Sequence, residues 1–249
     1  MAFEISVLGC GEAFDDRLPN NSYLVRAGRV LLLDCGYSIP HRLWHIERDA
    51  SAIDLIYISH GHADHYFGLP AVLGRMWEDG RTKALTIVSQ HPLLQEIRDL
   101  MEAGYRGLAA RFGFPLEFIA AKPGLKLEWG EMTFDFAPTR HSVSNLAVRI
   151  GRGERSICYS GDGAVTDEAR RLYNGADLLI HEAYSFEQSP VHADIEDVIG
   201  TARRGQVKRV ALTHIQRDLR RDLARVQEAA AREHEVEVTI PEPGDLLKA

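Results

Sequence analysis

The sequence predicts an α+β fold of four layers, two β-sheets packed face to face with helices outside. Three observations carry this. Apolar stretches of strand length outnumber those of helical period, and they come in two successive sets, each opening with hairpin-like strands and ending in helices. The chain is also long enough: 249 residues with 45% hydrophobic and 26% charged side chains have the balance of a globular protein with one large core. By area scaling it exposes about 11,000 Å² when folded against about 40,000 Å² unfolded. No stretch rich in proline, glycine and serine divides it, so residues 1–249 are expected to form a single domain.

The first strand alternates Phe3, Ile5 and Val7 with Glu4 and Ser6 and ends at Gly9-Cys10-Gly11. Strands follow at 22–26 and 30–33, then a short helix with Pro40 in its first turn and Leu43, Trp44 and Ile46 on its buried side. The run 55–58 is too short for a helix and reads as a buried strand. Residues 66–76 are helical in pattern despite Pro70, 85–88 is a strand, and Pro92 opens a helix carrying Leu93, Leu94, Ile97 and Leu100. The second set is expected to begin near residue 115, with strands at 116–119, 125–129, 132–136, 146–150, 156–159, 178–180 and 207–212. Helices fit 166–173, 194–203 (Asp194 as N-cap, Asp197 three residues on) and 218–234, and 236–240 offers a last strand.

Composition excludes several classes. The start has no basic leader followed by a long apolar stretch, and no run reaches the roughly 20 apolar residues of a membrane span, so a cytoplasmic, uncleaved protein without membrane contact is expected. Cys10, Cys35 and Cys158 are three widely spaced thiols, which suit neither a disulfide framework nor a metal knuckle. A net charge of −7 argues against a surface that attracts polyanions everywhere, though a local basic strip is compatible with it.

Histidine carries the chemistry. Directly after the strand at 55–58 stands His60-Gly61-His62-Ala63-Asp64-His65, and three further positions repeat the placement beyond a strand end: His141, Asp162 and His214. Any one of these suits a solvated loop. Together, imidazoles and carboxylates at strand ends are the donor set of zinc and related ions. Seven donors are too many for one tetrahedral ion, so two ions are expected: one on His60, His62 and His141, the other on Asp64, His65 and His214, with Asp162 shared. Each keeps a position for a bridging water, the setting of a catalytic site with hydroxide as nucleophile. Zinc heads the candidates; manganese and iron accept the same ligands.

The pattern HxHxDH followed by His, Asp and His resembles the metallo-β-lactamase superfamily, which implies an αββα sandwich with metals at one edge between the sheets. Leu31-Leu32-Leu33-Asp34-Cys35-Gly36 is similar to that family's strand ending in Asp and Gly. The resemblance implies that Asp34 supports the metal loop; a structural turn is the other reading. The antibiotic-hydrolysing branch usually carries a secretion signal and often a cysteine where Asp162 stands, and glyoxalase II adds a carboxyl-terminal domain for which little room remains.

The ribonuclease Z and phosphodiesterase branch is the closer resemblance. It rests on Leu8-Gly9-Cys10-Gly11 with Arg17-Leu18-Pro19-Asn20-Asn21-Ser22, on Ser59 through His65 continuing as Tyr66-Phe67-Gly68-Leu69-Pro70, and on His181-Glu182-Ala183-Tyr184 with the later His192. It implies that Glu182 and His192 protonate the leaving oxygen and that Asp64 steers the nucleophile as well as binding metal. A surface carboxylate is the other reading of Glu182. Two departures stand out: His192 is followed by Ala193-Asp194 rather than two hydroxyl residues, and no RNA-gripping arm is inserted.

Substrate contact would then fall to Arg140, to Arg203, Arg204, Lys208 and Arg209, or to Arg217, Arg220, Arg221 and Arg225, the last group interleaved with acids in the manner of a salt-bridged face. The leading expectation is a dinuclear metal-dependent phosphodiesterase acting on a small or single-stranded phosphodiester rather than folded transfer RNA. A lactonase or arylsulfatase-like ester hydrolase is the alternative, a non-catalytic metal-stabilised scaffold the third reading, and a homodimer the family-based expectation.

Overall fold

The computed structural model describes residues 2–249. Among these, the strands form two seven-stranded sheets. The first contains β1 (Glu4–Gly9), β2 (Ser22–Arg26), β3 (Val30–Leu33), β4 (Leu55–Tyr57), β5 (Leu85–Gln90) and β6 (Leu116–Ala121) in that order. The second contains β7 (Lys126–Trp129), β8 (Met132–Thr139), β9 (Asn145–Arg152), β10 (Arg155–Tyr159), β11 (Leu178–Glu182), β12 (Arg209–Thr213) and β13 (Glu237–Thr239). A closing strand, β14 (Leu246–Lys248), returns to pair antiparallel with β1. Each sheet opens antiparallel, β1-β2-β3 and β7-β8-β9-β10, and continues parallel, β3-β4-β5-β6 and β10-β11-β12-β13.

Helices connect the parallel strands: α1 (Ile39–Ile46), α2 (Ala63–Tyr66), α3 (Leu69–Glu78) and α4 (His91–Gly104) on the first sheet, then α5 (Asp167–Tyr173), α6 (Ile195–Arg204), α7 (Arg217–Arg221) and α8 (Ala224–Arg232) on the second. Pro40, Pro70 and Pro92 fall in the first turns of α1, α3 and α4, where a missing N–H removes no helical bond. Thr166 caps α5 by accepting from Ala169 N, and Asp194 caps α6 by accepting from Asp197 N at 2.9 Å.

Strand alternation separates three apolar layers. Leu31 and Leu33 of β3 point between the sheets against a core that includes Phe134, Val148 and Ile180, while Leu32 points outward among Ile39, Leu43 and Leu73. The outer face of the second sheet buries Leu179 and Leu212 against Ala169, Val198 and Val226. Each such side chain contributes about 1.5–3 kcal/mol by leaving water. The result is the αββα sandwich, exposing 10,865 Å².

Two expectations need correction, and one strand lies beyond the expected last one. Residues 116–119 do not open the second set: α4 carries the chain from β5 over the sheet, and β6 completes a parallel crossover unit beside β5. The helix expected over 218–234 is two helices, because Asp222 is extended (φ −127°) and its carboxylate accepts from Ala224 N at 3.2 Å, starting the next helix. The three-residue strand β14 is too short to carry a readable alternation.

Candidate metal centre

Loops at five strand ends converge at one edge between the sheets. His60, His62, Asp64 and His65 follow β4 in the first sheet; His141, Asp162 and His214 follow β8, β10 and β12 in the second, and Glu182 ends β11. Close approach makes this convergence feasible. A Cβ at Gly36 would lie 1.9 Å from the Asp64 carbonyl oxygen, and Gly161, at φ +59°, brings the chain against Asn145 and Ser59 just before Asp162.

Two groups of potential ligand atoms result, each within 4.8 Å of one another: His60, His62, His141 and Asp162, and Asp64, His65, Asp162 and His214. Asp162 belongs to both. Its Oδ2 lies 3.9 Å from both His60 Nε2 and His141 Nε2 and 3.3 Å from His214 Nε2; its Oδ1 lies 3.4 Å from His65 Nε2. Asp64 Oδ2 is 3.1 Å from His65 Nε2 and 3.4 Å from His214 Nε2.

Hydrogen bonds from behind aim the imidazoles. The fully buried Asp34 accepts from Ser59 N, from Ser59 Oγ and from His65 Nδ1, each at 2.7 Å, and from Tyr159 Oη at 2.6 Å. Ser59 Oγ, having donated to Asp34, accepts from His60 Nδ1 at 3.0 Å, and His141 Nδ1 donates to the Val191 carbonyl at 2.7 Å. In all three rings the Nδ1 proton is committed and the Nε2 lone pair faces the cluster.

The site fits cations. His65 Nε2 and Asp162 Oδ1 are buried, face one another and complete no hydrogen bond, an arrangement that costs free energy unless a positive charge stands between them. Burial raises the carboxyl pKa values of Asp64 and Asp162, but the neighbouring His65 and His214 outweigh it and hold both well below the usual range. Burial opposes charge on His214, yet Asp162, Asp64 and Glu182 lift its pKa to about 9; His60, buried beside His65, is driven well below its ordinary value. Carboxylates that draw positive charge onto imidazoles present the same demand to a divalent ion.

Glu182, fully buried, accepts from Gly163 N, from Ala193 N at 3.4 Å and from His192 Nδ1. The Ala193 amide thus helps to hold the Glu182 carboxylate beside His192. His192 stacks on Tyr184 with ring centroids 4.3 Å apart and planes 17° from parallel. Burial opposes its charge, but the hydrogen bond to Glu182 and the charges of Glu182 and Asp162 outweigh it and raise its pKa. Above the cluster lies a pocket of about 300 Å³ bordered by Asp64, His62, His141 and His192, with Phe14 and Tyr37 at its mouth.

Some contributors carry no sequence signal. Tyr159 looks like any strand-end aromatic, and Asn145, which donates to the Ser160 carbonyl at 2.8 Å and accepts from Asp162 N at 3.3 Å, like any loop amide. The basic strips are neutralised: Arg203, Arg204, Lys208 and Arg209 pair with Glu233, Asp197, Asp177 and Glu237. Arg220 is buried, donating to the Pro241 carbonyl at 2.6 Å, and Arg225 lies over the Phe186 ring. Arg140 donates to the Pro190 carbonyl at 2.9 Å and lines a separate cleft of about 590 Å³ that His192 also borders.

Fold and sequence relatives together define a metal-dependent hydrolase of the metallo-β-lactamase superfamily, near ribonuclease Z. Within it the chain belongs to the family described as Anti-Pycsar protein Apyc1, whose model matches residues 3–234. Ribonuclease Z of Methanothermobacter thermautotrophicus is 25% identical over 85% of this chain and 86% of that protein. The metallo-β-lactamase fold protein YhfI of Bacillus subtilis superposes with a TM-score of 0.83 at 24% identity over the whole of both chains. Human tRNase Z, short form, does so with a TM-score of 0.76 at 22% identity over 98% of each chain. Among the described residues no helix is long and apolar enough to cross a membrane.

Proposed function

We propose that residues 1–249 form one domain that hydrolyses a small or single-stranded phosphodiester, using two divalent cations, zinc in the first place and manganese or iron as substitutes. His60, His62 and His141 would hold one cation and Asp64, His65 and His214 the other, with Asp162 between them. When bound, the cations supply Lewis acidity toward the phosphoryl oxygens and a hydroxide nucleophile at neutral pH. Asp64 would orient the nucleophile by accepting a hydrogen bond from it. His192, with Nδ1 on Glu182, presents its Nε2 proton to the leaving oxygen, which departs as an alcohol rather than an alkoxide.

The observation that carries the phosphodiester reading is the Glu182–His192 pair beside the pocket, built to protonate a departing alkoxide; the phenoxide leaving an aryl sulfate has less need of such an acid. The ribonuclease Z name of the sequence relatives supports the same class. Folded transfer RNA lies outside the proposal because the basic strips are salt-bridged. A cytoplasmic homodimer is proposed on family likeness alone, and light scattering tests its mass.

The test is turnover of bis(p-nitrophenyl) phosphate, a lactone and an aryl sulfate by protein reloaded with each metal in turn. The phosphodiester should be preferred, and His192→Ala should lower turnover of a diester with an alkyl leaving group about 10²–10⁴-fold, and of the p-nitrophenyl ester less, with metal content intact. Preference for the lactone or sulfate, or a His192→Ala variant as fast as the parent, would overturn the reading. Two bound ions without hydrolysis of any ester would leave a scaffold.

A further inference from the structure

Phe14 is 76% exposed and Tyr37 51% exposed, and both border the pocket above the metal centre. Nothing in the packing requires an aromatic side chain at position 14, yet the loop that carries it is tightly held. Phe14 N donates to Glu12 Oε2 at 2.9 Å; Glu12 is buried and receives Arg217 Nη1 at 2.6 Å. Asp15 Oδ1 accepts from Arg17 N at 2.8 Å and Leu18 N at 2.9 Å, and Arg221 reaches Asp16 at 2.8 Å. The Tyr37 hydroxyl donates to the Ala13 carbonyl, tying the two ring-bearing segments together. The backbone is fixed while the ring forgoes burial, the arrangement of a preorganised contact for something outside the chain.

The position of the acid says which part of a substrate that is. His192 borders both the metal pocket and the larger cleft beside Arg140, so the leaving oxygen and its substituent belong on that side. Phe14 and Tyr37 border the metal pocket and not the cleft beside Arg140. We infer, building on the phosphodiesterase reading, that Phe14 and Tyr37 form an aromatic platform for a planar ring, aryl or heterocyclic, on the substituent that stays attached to phosphorus. Ring faces at the mouth of a pocket stack on any flat π-system and select it over an alkyl group without hydrogen-bond readout.

Bis(p-nitrophenyl) phosphate and ethyl p-nitrophenyl phosphate share a leaving group and differ only in the retained substituent. Phe14→Ala should lower kcat/KM for the diaryl ester about tenfold more than for the ethyl ester, chiefly through KM, and Phe14→Trp should restore the difference. Calorimetry on the metal-loaded protein gives a readout free of turnover: the preference for phenyl phosphate over methyl phosphate should fall about tenfold in Phe14→Ala. Loss of that binding preference in a protein that hydrolyses neither diester would sustain the platform while removing the phosphodiesterase reading. Equal losses on both esters, or no loss on either, would overturn the platform. So would a Phe14→Ala variant whose molecular mass in solution changes while ester selectivity is retained, since the ring would then serve a contact between copies of the chain.

Discussion

Asp34 shows how much one side chain can organise. Its left-handed backbone (φ +55°) turns the carboxylate back under the loop after β4, where it receives Ser59, His65 and Tyr159 together. Asparagine tolerates the same backbone and nearly the same volume, but its amide nitrogen cannot accept. Asp34→Asn should therefore fold and bind zinc about 10–100-fold more weakly in competition with a chelator, the usual effect of losing a carboxylate behind a ligating histidine. Undiminished affinity would mean that packing alone orients His65. Asp162, close to both groups of donors, makes a sharper forecast. Asp162→Ala should lower the affinity of both ions, whereas His62→Ala should lower that of one, as equilibrium dialysis against zinc would read. At this scale the sequence was legible where several residues point to one chemistry: an imidazole or carboxylate beyond one strand end suits a loop, but the same types beyond four strand ends form a metal donor set. Phe14, Tyr37 and Asn145 were not, because an exposed ring or a loop amide gains its meaning only from what surrounds it.

Among the elements, each sheet is fastened by the same clasp at the start of its parallel strands. Asp54, just before β4, accepts from Val30 N at 2.9 Å and pairs with Arg29 at 3.3 Å and Lys83 at 2.7 Å. Asp177, just before β11, accepts from Ser156 N at 2.9 Å and pairs with Arg155 at 2.9 Å and Lys208 at 2.7 Å. In both, the carboxylate joins the openings of three neighbouring strands. Burial raises both carboxyl pKa values, but the lysine hydrogen bonds and the other partners outweigh it, so both lie below the ordinary 3.8. A depressed folded pKa stabilises the native state above the unfolded value, and that stabilisation is lost as pH falls through the folded value. An Asp54→Asn, Asp177→Asn double variant should thus be less stable than the parent at pH 7, with the gap closing below about pH 3.8, as urea titrations across pH would show. A constant gap would assign the effect to hydrogen bonding alone. The clasp residues lie too far apart along each half to read as a repeat, which is why the likeness of the halves shows in strand order rather than in sequence. Short apolar runs bounded by polar turns located most strands, but the membership of β6 depends on which strand it meets after α4, and local pattern holds no record of that.

For the molecule as a whole, the candidate metal centre is a seam. His60, His62, Asp64 and His65 come from the first sheet and His141, Asp162 and His214 from the second, so each proposed ion takes donors from both sides. The same edge holds other cross-sheet bonds: Tyr57 Oη to the Leu146 carbonyl at 2.6 Å, Gln90 Nε2 to the Ser144 carbonyl at 2.8 Å, and Tyr159 Oη to Asp34. These, with the apolar core between the sheets, are enough to define the fold, so chelation should leave a folded chain. It should not leave an equally stable one. The donors converge only in the native state, and an ion at 100 times its dissociation constant adds about 2.7 kcal/mol through that preference. For a chain of this length each kcal/mol moves the melting temperature by about 2–4 °C, so removing one ion should lower it by roughly 5–10 °C, and removing two by more. Scanning calorimetry of chelated protein, and of the same sample with zinc restored, would measure this. An unchanged melting temperature with the metal gone would mean that the sheets are joined at this edge by their own hydrogen bonds, and that the ions serve the reaction without holding the fold.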